Sequence, residues 1–346
     1  MSDQITPRAD RNLAMELVRV TEAAAIAAAR YMGMGKKEAG DQAAVDAMRT
    51  FLQTVDMKGT VIIGEGAKDK APMLFNGEVV GSGEGPEVDI AVDPVEGTSL
   101  LAEGRPNSIT SIAVADKGSM WNPGNSYYMN KIVVEAEAKS AIDITKSPSS
   151  NLYNIAEALD RNVEDLTVFV LDKPRHTSLV EEIRQTGARI TLHAEGDVIG
   201  ALMAAIPGTG VDVLMGVGGT PEGVLAAAAV KALGGGMQGM RAPQREEEKR
   251  QLKQDGVKVK EVLTLDDLIK SDNTFFAATG ITQSSFLEGV HFDRRGGVTT
   301  ESIVLRSLTG SIRYVKGIHR LNRTHDVGGR VGTTPAYVAM EIISPD

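Results

Sequence analysis

Apolar residues recur at helical spacing from 12 to 31 and again from about 38 to 55, which predicts that the chain opens on two helices. Both are rich in alanine, a composition suited to close helix packing, and Gly33 and Gly35 mark a turn between them. The period then shortens. β-Branched runs at 60–63 and 88–92 predict strands, each leading into a Gly- or Pro-containing turn that carries an acidic residue. Segments 109–115 and 131–135 predict two more strands, the first followed by a stretch rich in Gly, Pro and Asn from Gly118 to Asn125. The first half therefore reads as helices on a sheet.

After a predicted helix at 150–159 the pattern becomes strand–helix alternation. Strands are expected at 166–171, near Ile190 and at 211–214, with helices starting at Ser178, Val198 and Glu222. Such alternation is the mark of βαβ units, and it sets a soft division between an N-terminal α+β half, 1–163, and a C-terminal α/β half, 164–346. The charge-dense run at 245–254 predicts a solvated helix. Strand-like runs follow at 274–278, 299–305 and 311–316, and the weakly periodic tail beyond Arg320 reads as a mobile end. No internal repeat is visible.

Charge narrows the function. With 346 residues, 24% charged and 42% apolar, the composition is that of an ordinary folded protein, and the net charge of −9 argues against nucleic acid or an anionic membrane as partner. An anionic substrate must then be met locally, by metal ions or a few placed cations. The chain has no cysteine, which excludes disulfides, thiol nucleophiles and cysteine-based metal sites and favours a cytoplasmic home. The apolar stretch from Ala23 to Ala29 is too short for a secretory signal, and no run reaches membrane-spanning length.

Candidate chemistry gathers at predicted strand ends, where α/β proteins place their sites. In the run from Val88 to Thr98, Asp93 ends an apolar strand, Pro94 is expected to force a tight turn, and Glu96 returns a second carboxylate to the same mouth. Gly97 allows close backbone approach to a ligand, and Thr98 opens the next element. A second apolar run, Val61 to Ile63, ends on Glu65 between Gly64 and Gly66, with Asp69 near enough in sequence to serve as a proton acceptor. Asp41 sits at the start of the second helical pattern, where a carboxylate also serves simply as a dipole partner. Carboxylates and a hydroxyl suit a hard divalent cation; the competing reading is that they only cap the next helices.

The run from Val213 to Gly223 reads as strand, glycine turn and helix, with Glu222 in the helix's first turn. A dinucleotide fingerprint fails there, because Pro221 stands where Gly-x-Gly-x-x-Gly needs its last glycine; cradling of a phosphate by the backbone stays open. Lys173 and Arg175 after the strand at 166–171 form a cationic rim suited to a phosphate, and Glu195-Gly196-Asp197 either bonds sugar hydroxyls or caps a helix. Of the five histidines only His176 lies beside this chemistry, and no paired-histidine spacing supports zinc.

The Asp-Pro-x-x-Gly-Thr unit resembles the lithium-sensitive, magnesium-dependent phosphatase superfamily. Gly-Glu-Gly at 64–66, Ala-Pro-Met-Leu at 71–74, Tyr-Met-Asn-Lys at 128–131, Lys-Pro-Arg-His at 173–176, Glu-Gly-Asp at 195–197 and Gly-Gly-Thr-Pro-Glu-Gly at 218–223 resemble its class II fructose-1,6-bisphosphatases, and the likeness covers nearly the whole chain. That resemblance implies an α/β fold, a layered α/β/α/β/α sandwich, and hydrolysis of the 1-phosphate of fructose 1,6-bisphosphate in gluconeogenesis, an activity that some relatives extend to sedoheptulose 1,7-bisphosphate. It implies Mg²⁺ or Mn²⁺ held by Asp41, Glu65, Asp93, Glu96 and Glu222, with Thr98 as catalytic hydroxyl. Contacts to the sugar bisphosphate fall on Glu96, Gly97, Thr98, Tyr128, Lys173, Pro174, Arg175, Glu195, Gly196, Asp197 and Gly219. A homo-oligomer, dimer or tetramer, is expected, with neither nucleic acid nor membrane as partner. Two positions depart from the family: Lys36 and Ala67 stand where acidic residues are common. An inositol-phosphate or other sugar-phosphate monoesterase of the same superfamily is the alternative, and a nucleotide-cofactor protein a remote one.

Overall fold

The structure, a computed structural model, describes residues 13–65, 74–294 and 296–320. In chain order its elements are α1 (Leu13–Ala29), α2 (Lys37–Leu52), β1 (Lys58–Ile63), β2 (Val79–Val80), β3 (Glu87–Glu96), α3 (Thr98–Glu103), β4 (Ile109–Asp116) and β5 (Tyr128–Val134). Then follow α4 (Pro148–Ala158), β6 (Thr167–Leu171), α5 (Thr177–Gln185), β7 (Arg189–His193), α6 (Asp197–Ala205), β8 (Val213–Gly219), α7 (Thr220–Leu233) and β9 (Gly236–Arg241). The last are α8 (Glu246–Gln254), β10 (Val262–Thr264), α9 (Leu265–Leu268), β11 (Thr274–Gly280), β12 (His291–Phe292), β13 (Gly297–Arg306) and β14 (Ser311–Arg320).

Two mixed sheets result. The first runs β12-β13-β11-β4-β3-β1-β2, with β14 on the far side of β13; the second runs β10-β9-β5-β8-β6-β7. Within the second, β6 is parallel to both β7 and β8, as the strand–helix alternation requires. β5 belongs to the second sheet, and β11, β13 and β14 return to the first.

Strand parity builds the layers. In β3, Val88, Ile90 and Val92 face the core under α1 and α2, whereas Ala91 faces the core shared with α6 and α7. Phe275 and Ala277 against Phe276 and Ala278 divide in the same way in β11. In the second sheet Phe169 and Leu171 look to the shared core, and Val168 and Val170 look to a third core with Leu152, Ile155 and Ile183 of α4 and α5. The order is therefore helices, sheet, helices, sheet, helices, an α/β sandwich of five layers. The central layer works because α6 and α7 are apolar on all sides, as a helix between two sheets must be. No helix among the described residues is long and apolar enough to cross a membrane.

Four local expectations differ from the structure. β3 does not stop at Asp93: it continues through Pro94 to Glu96, and the pairing slips, Asp93 opposite Ser111 but Glu96 opposite Ile109. Pro94 has no N–H for the ladder, so the strand absorbs it as a bulge rather than a turn. Gly216, Gly218 and Gly219 are not a turn either, since β8 runs through all of them. Asp41 lies in the second turn of α2, which starts at Lys37, so it is not a helix-start carboxylate. The charged segment forms the helix α8 as expected, but its Glu248 is buried rather than solvated. Asp69, Ala67, most of the Ala-Pro-Met-Leu motif, His325 and the tail beyond Arg320 lie outside the described residues.

Candidate active site

Parity and two bulges aim the carboxylates inward. Asp93 shares the parity of Ala91, whose side of the sheet faces α7. β1 also slips register between Val61 and Ile63, so Val61 faces the outer core and Ile63 the inner one, and Glu65 follows at the same parity as Ile63. Gly64 is required at this end because a Cβ there would lie 1.9 Å from the Leu74 carbonyl oxygen. Across the gap, α7 begins directly after β8 and sets Glu222 in its first turn, and α2 contributes Asp41.

Five carboxylates, on α2, β3, α7 and the turn after β1, thereby lie close enough to act on one another's charge. Burial, then repulsion from Asp41 and Glu222, pushes Glu65 up to about 7. Asp93 is raised well above the ordinary carboxylate range by burial and then by Glu96, Glu222, Glu65 and Asp41. Glu96 is pushed up to about 8, mainly by burial, against the opposing hydrogen bond from the Val198 N–H. Glu222 is raised by burial in spite of the nearby Lys131 cation, and Asp41 by burial in spite of Lys37. Like charges held this close require protons or cations between them.

The donor set fits a hard divalent cation. All five side chains offer oxygen, and the buried Oε2 of Glu222 meets no hydrogen-bond donor among the described residues. Glu96 is engaged already: it accepts the N–H groups of Val198 and, at 3.2 Å, of Ile199, capping α6, although a carboxylate oxygen keeps a further lone pair. As the side chains stand, no three or more Asp, Glu or His among the described residues are drawn together into a ready-made ion cage.

The glycines of β8 have a steric reason. A Cβ on Gly218 would lie 1.6 Å from Oδ2 of Asp197, and one on Gly219 would lie 1.8 Å from Oε2 of Glu222. They leave room for two carboxylates, not for a nucleotide. Asp197, at the start of α6, pairs with the buried Lys131 of β5, whose Nζ also donates to the Gly219 carbonyl at 2.9 Å. Gly196 before it takes a left-handed φ of 110°, which lets β7 turn into α6.

The other expected residues lie on neighbouring turns and strand ends. Gly97, left-handed at φ 83°, caps α3, and Thr98 is that helix's first residue. The Ser99 N–H donates to the Glu195 carboxylate at 3.2 Å, so Glu195 closes on the same turn as Thr98. Tyr128 opens β5, and the Arg175 guanidinium lies over its ring, 5.5 Å from the centroid. Arg175 also donates through Nε and Nη2 to the Val217 carbonyl, at 2.9 and 2.7 Å. Lys173 and Pro174 lead into the same short 3₁₀ turn, Lys173 partly buried. Lys36 precedes α2 and is exposed.

Sequence reasoning missed three residues here. Lys131 ends a motif that was noted, yet its partners are 66 and 88 residues away. Lys37 donates to Ser99 Oγ at 3.1 Å, linking α2 to the turn that carries Thr98. Glu248 accepts the N–H groups of Tyr127 and Tyr128 at 2.7 and 3.1 Å and so holds the start of β5. One signal was available for it: Leu252, one turn on and also buried, marks the covered face of an otherwise charged helix.

A family model described as bacterial fructose-1,6-bisphosphatase, glpX-encoded, matches residues 11–319. Fructose-1,6-bisphosphatase 1 class 2 of Escherichia coli (strain K12) is 43% identical over 327 residues, covering 90% of this chain and 96% of that protein. The class 2 enzymes of Escherichia coli O6:H1 and Shigella flexneri are 43% identical over the same shares. The chain belongs to the bacterial, glpX-type fructose-1,6-bisphosphatase family.

Proposed function

We propose that the chain hydrolyses the 1-phosphate ester of fructose 1,6-bisphosphate to fructose 6-phosphate and phosphate, a step of gluconeogenesis, with Mg²⁺ or Mn²⁺ as cofactor. The observation that carries this reading is that Asp41, Glu65, Asp93, Glu96 and Glu222 lie close enough to repel one another's charge, in a chain of a metal-dependent phosphatase family. These five residues would hold the cation, which when bound neutralises phosphate charge and draws electron density from the ester.

The chain's own groups supply positioning. Thr98, at the head of α3, orients the attacking water, with Asp69 as its proton acceptor. Lys173, Pro174, Arg175 and Tyr128 hold the distal phosphate, Arg175 as a planar fork and Lys173 as a point charge. Glu195 and Asp197 accept hydrogen bonds from sugar hydroxyls, while Gly97, Gly196 and Gly219 let the ligand approach the backbone. The net charge of −9 supports a small-molecule substrate over nucleic acid or an anionic membrane. We read the enzyme as cytoplasmic and as a symmetric dimer or tetramer.

Phosphate release from fructose 1,6-bisphosphate, sedoheptulose 1,7-bisphosphate and inositol 1-phosphate, each with Mg²⁺, Mn²⁺ or EDTA, tests the reading. Metal-dependent release from fructose 1,6-bisphosphate is expected, and the seven-carbon arm sets the breadth of the sugar site. Release from inositol 1-phosphate alone would overturn the substrate and leave only a shared metal scaffold.

A further inference from the structure

β6 accompanies β8 only as far as Leu214: the paired residues are Val168 with Val213 and Phe169 with Leu214. Beyond that point β8 still pairs with β5 on one side, Asn130 opposite Val217, but β6 has left its other side. A strand residue points its N–H and C=O to the same side, so Val217 has both a donor and an acceptor to satisfy there. Two side chains of the turn after β6 take them. The Val217 N–H donates to His176 Nε2 at 2.8 Å, and the Val217 carbonyl accepts from Nε and Nη2 of Arg175.

The other imidazole nitrogen settles the tautomer. Nδ1 of His176 lies 2.7 Å from the Leu171 carbonyl, which can only accept, so Nδ1 carries the hydrogen. Nε2, facing an N–H, must be the unprotonated nitrogen. His176 is 3% exposed, and burial keeps it below the usual histidine range, in agreement with a neutral ring; Arg175 and Asp197 are the charged groups that act on it. Gly216 makes the approach possible: a Cβ there would lie 3.0 Å from Nε2, and its φ of 130° belongs to glycine.

We propose that His176 is a positioning residue for the distal phosphate, clamping the Val217 peptide between β6 and the phosphate-binding turn so that Arg175 is held in one orientation. The clamp occupies one edge of the guanidinium, and Tyr128 lies against its face. The remaining N–H groups are left to meet a phosphate oxygen pair without a search through rotamers. This inference rests on the reading of Lys173 and Arg175 as the distal-phosphate site.

The test compares His176→Met, similar in size but with only a weak thioether acceptor, with His176→Gln, whose amide oxygen reaches toward the Nε2 position. Both are also made in an Arg175→Ala background. Folding is checked by thermal melting, with His176→Asn as the replacement should the Met variant not fold. For fructose 1,6-bisphosphate the Met variant should raise KM about tenfold, the size of one lost charge-assisted hydrogen bond, with kcat changed far less, and Gln should restore most of the loss. The KM for fructose 1-phosphate, which has no distal phosphate, should move far less. In the Arg175→Ala background the His176 effect should vanish, because the clamp has nothing left to hold. A KM rise that persists undiminished without Arg175, or equal losses with both substrates, would overturn the clamp and leave the phosphate site standing. An unchanged KM in Arg175→Ala alone would overturn the distal-phosphate reading and the clamp together.

Discussion

At the scale of single residues the carboxylates make the sharpest predictions. Glu65 and Glu96 titrate near 7 and 8 in the fold against an ordinary 4.5, so between those limits the native state binds more protons than the unfolded chain. Stability must then fall as pH rises, from its best value below about 4.5 to its lowest above about 8, wherever these groups dominate the titration. Melting in EDTA across pH 5 to 8.5 should show that decline, and added Mn²⁺ should raise the melting temperature more at pH 8 than at pH 6, since protons and cation compete for the same oxygens. A metal effect independent of pH would separate the cation from this cluster. Thr98→Ala should lower kcat by about a hundredfold or more, with its melting temperature near that of the parent. Near-normal turnover would remove the hydroxyl from the chemistry. Which residue types matter was legible from sequence, because apolar runs ending on Asp or Glu announce themselves. Lys131 was not: nothing local distinguishes it from any other lysine in a strand until β8 and α6 close around it.

At the scale of elements, strands at a core show their faces, and their partners stay hidden. β3, β6 and β11 were legible as strands because they are short apolar runs bounded by polar or turn residues, the mark of strands buried on both faces. The short β9, Gly236–Arg241, left no such mark, because its glycines make room for neighbours, Gly239 for Met129 of β5 and Gly236 for Lys139, rather than follow a β pattern. The glycines of β8 were read as a turn for a similar reason: the side chains they make room for come from α6 and α7. Lys131 binds these elements together, and Lys131→Met should leave Asp197 buried without its cation beside Glu96 and Glu222, a loss of about 3–5 kcal/mol. Denaturant midpoints measured in EDTA would show it. A variant as stable as the parent would mean that the Lys131 cation is not what holds Asp197 in place.

At the scale of the molecule, five layers followed from the family likeness, with which the two-part pattern of the chain agrees, but the sharing of strands between the sheets did not. β5 leaves the N-terminal half for the second sheet, and β11, β13 and β14 come back to the first. β4 therefore depends on β11 for its outer neighbour, along seven paired residues. A chain ending at Ser271 should lack Phe275, Phe276, Ala277, Ala278, Ile303 and Leu305, which serve two of the three cores, and should be recovered as an aggregated or protease-sensitive product. A soluble, cooperatively melting fragment would show that β1 to β4 suffice as a sheet.

That return of the chain also sets a timetable for biosynthesis. The second sheet, β5 through β10, is complete once residue 264 has been made, so it can form while translation continues. The first sheet cannot: β4 waits for β11, more than 150 residues later in synthesis, with its apolar edge and the underside of α7 uncovered. The nascent chain thus spends most of its elongation half-finished on the side that carries Asp93 and Glu65, and the face those two residues share is among the last parts to be covered.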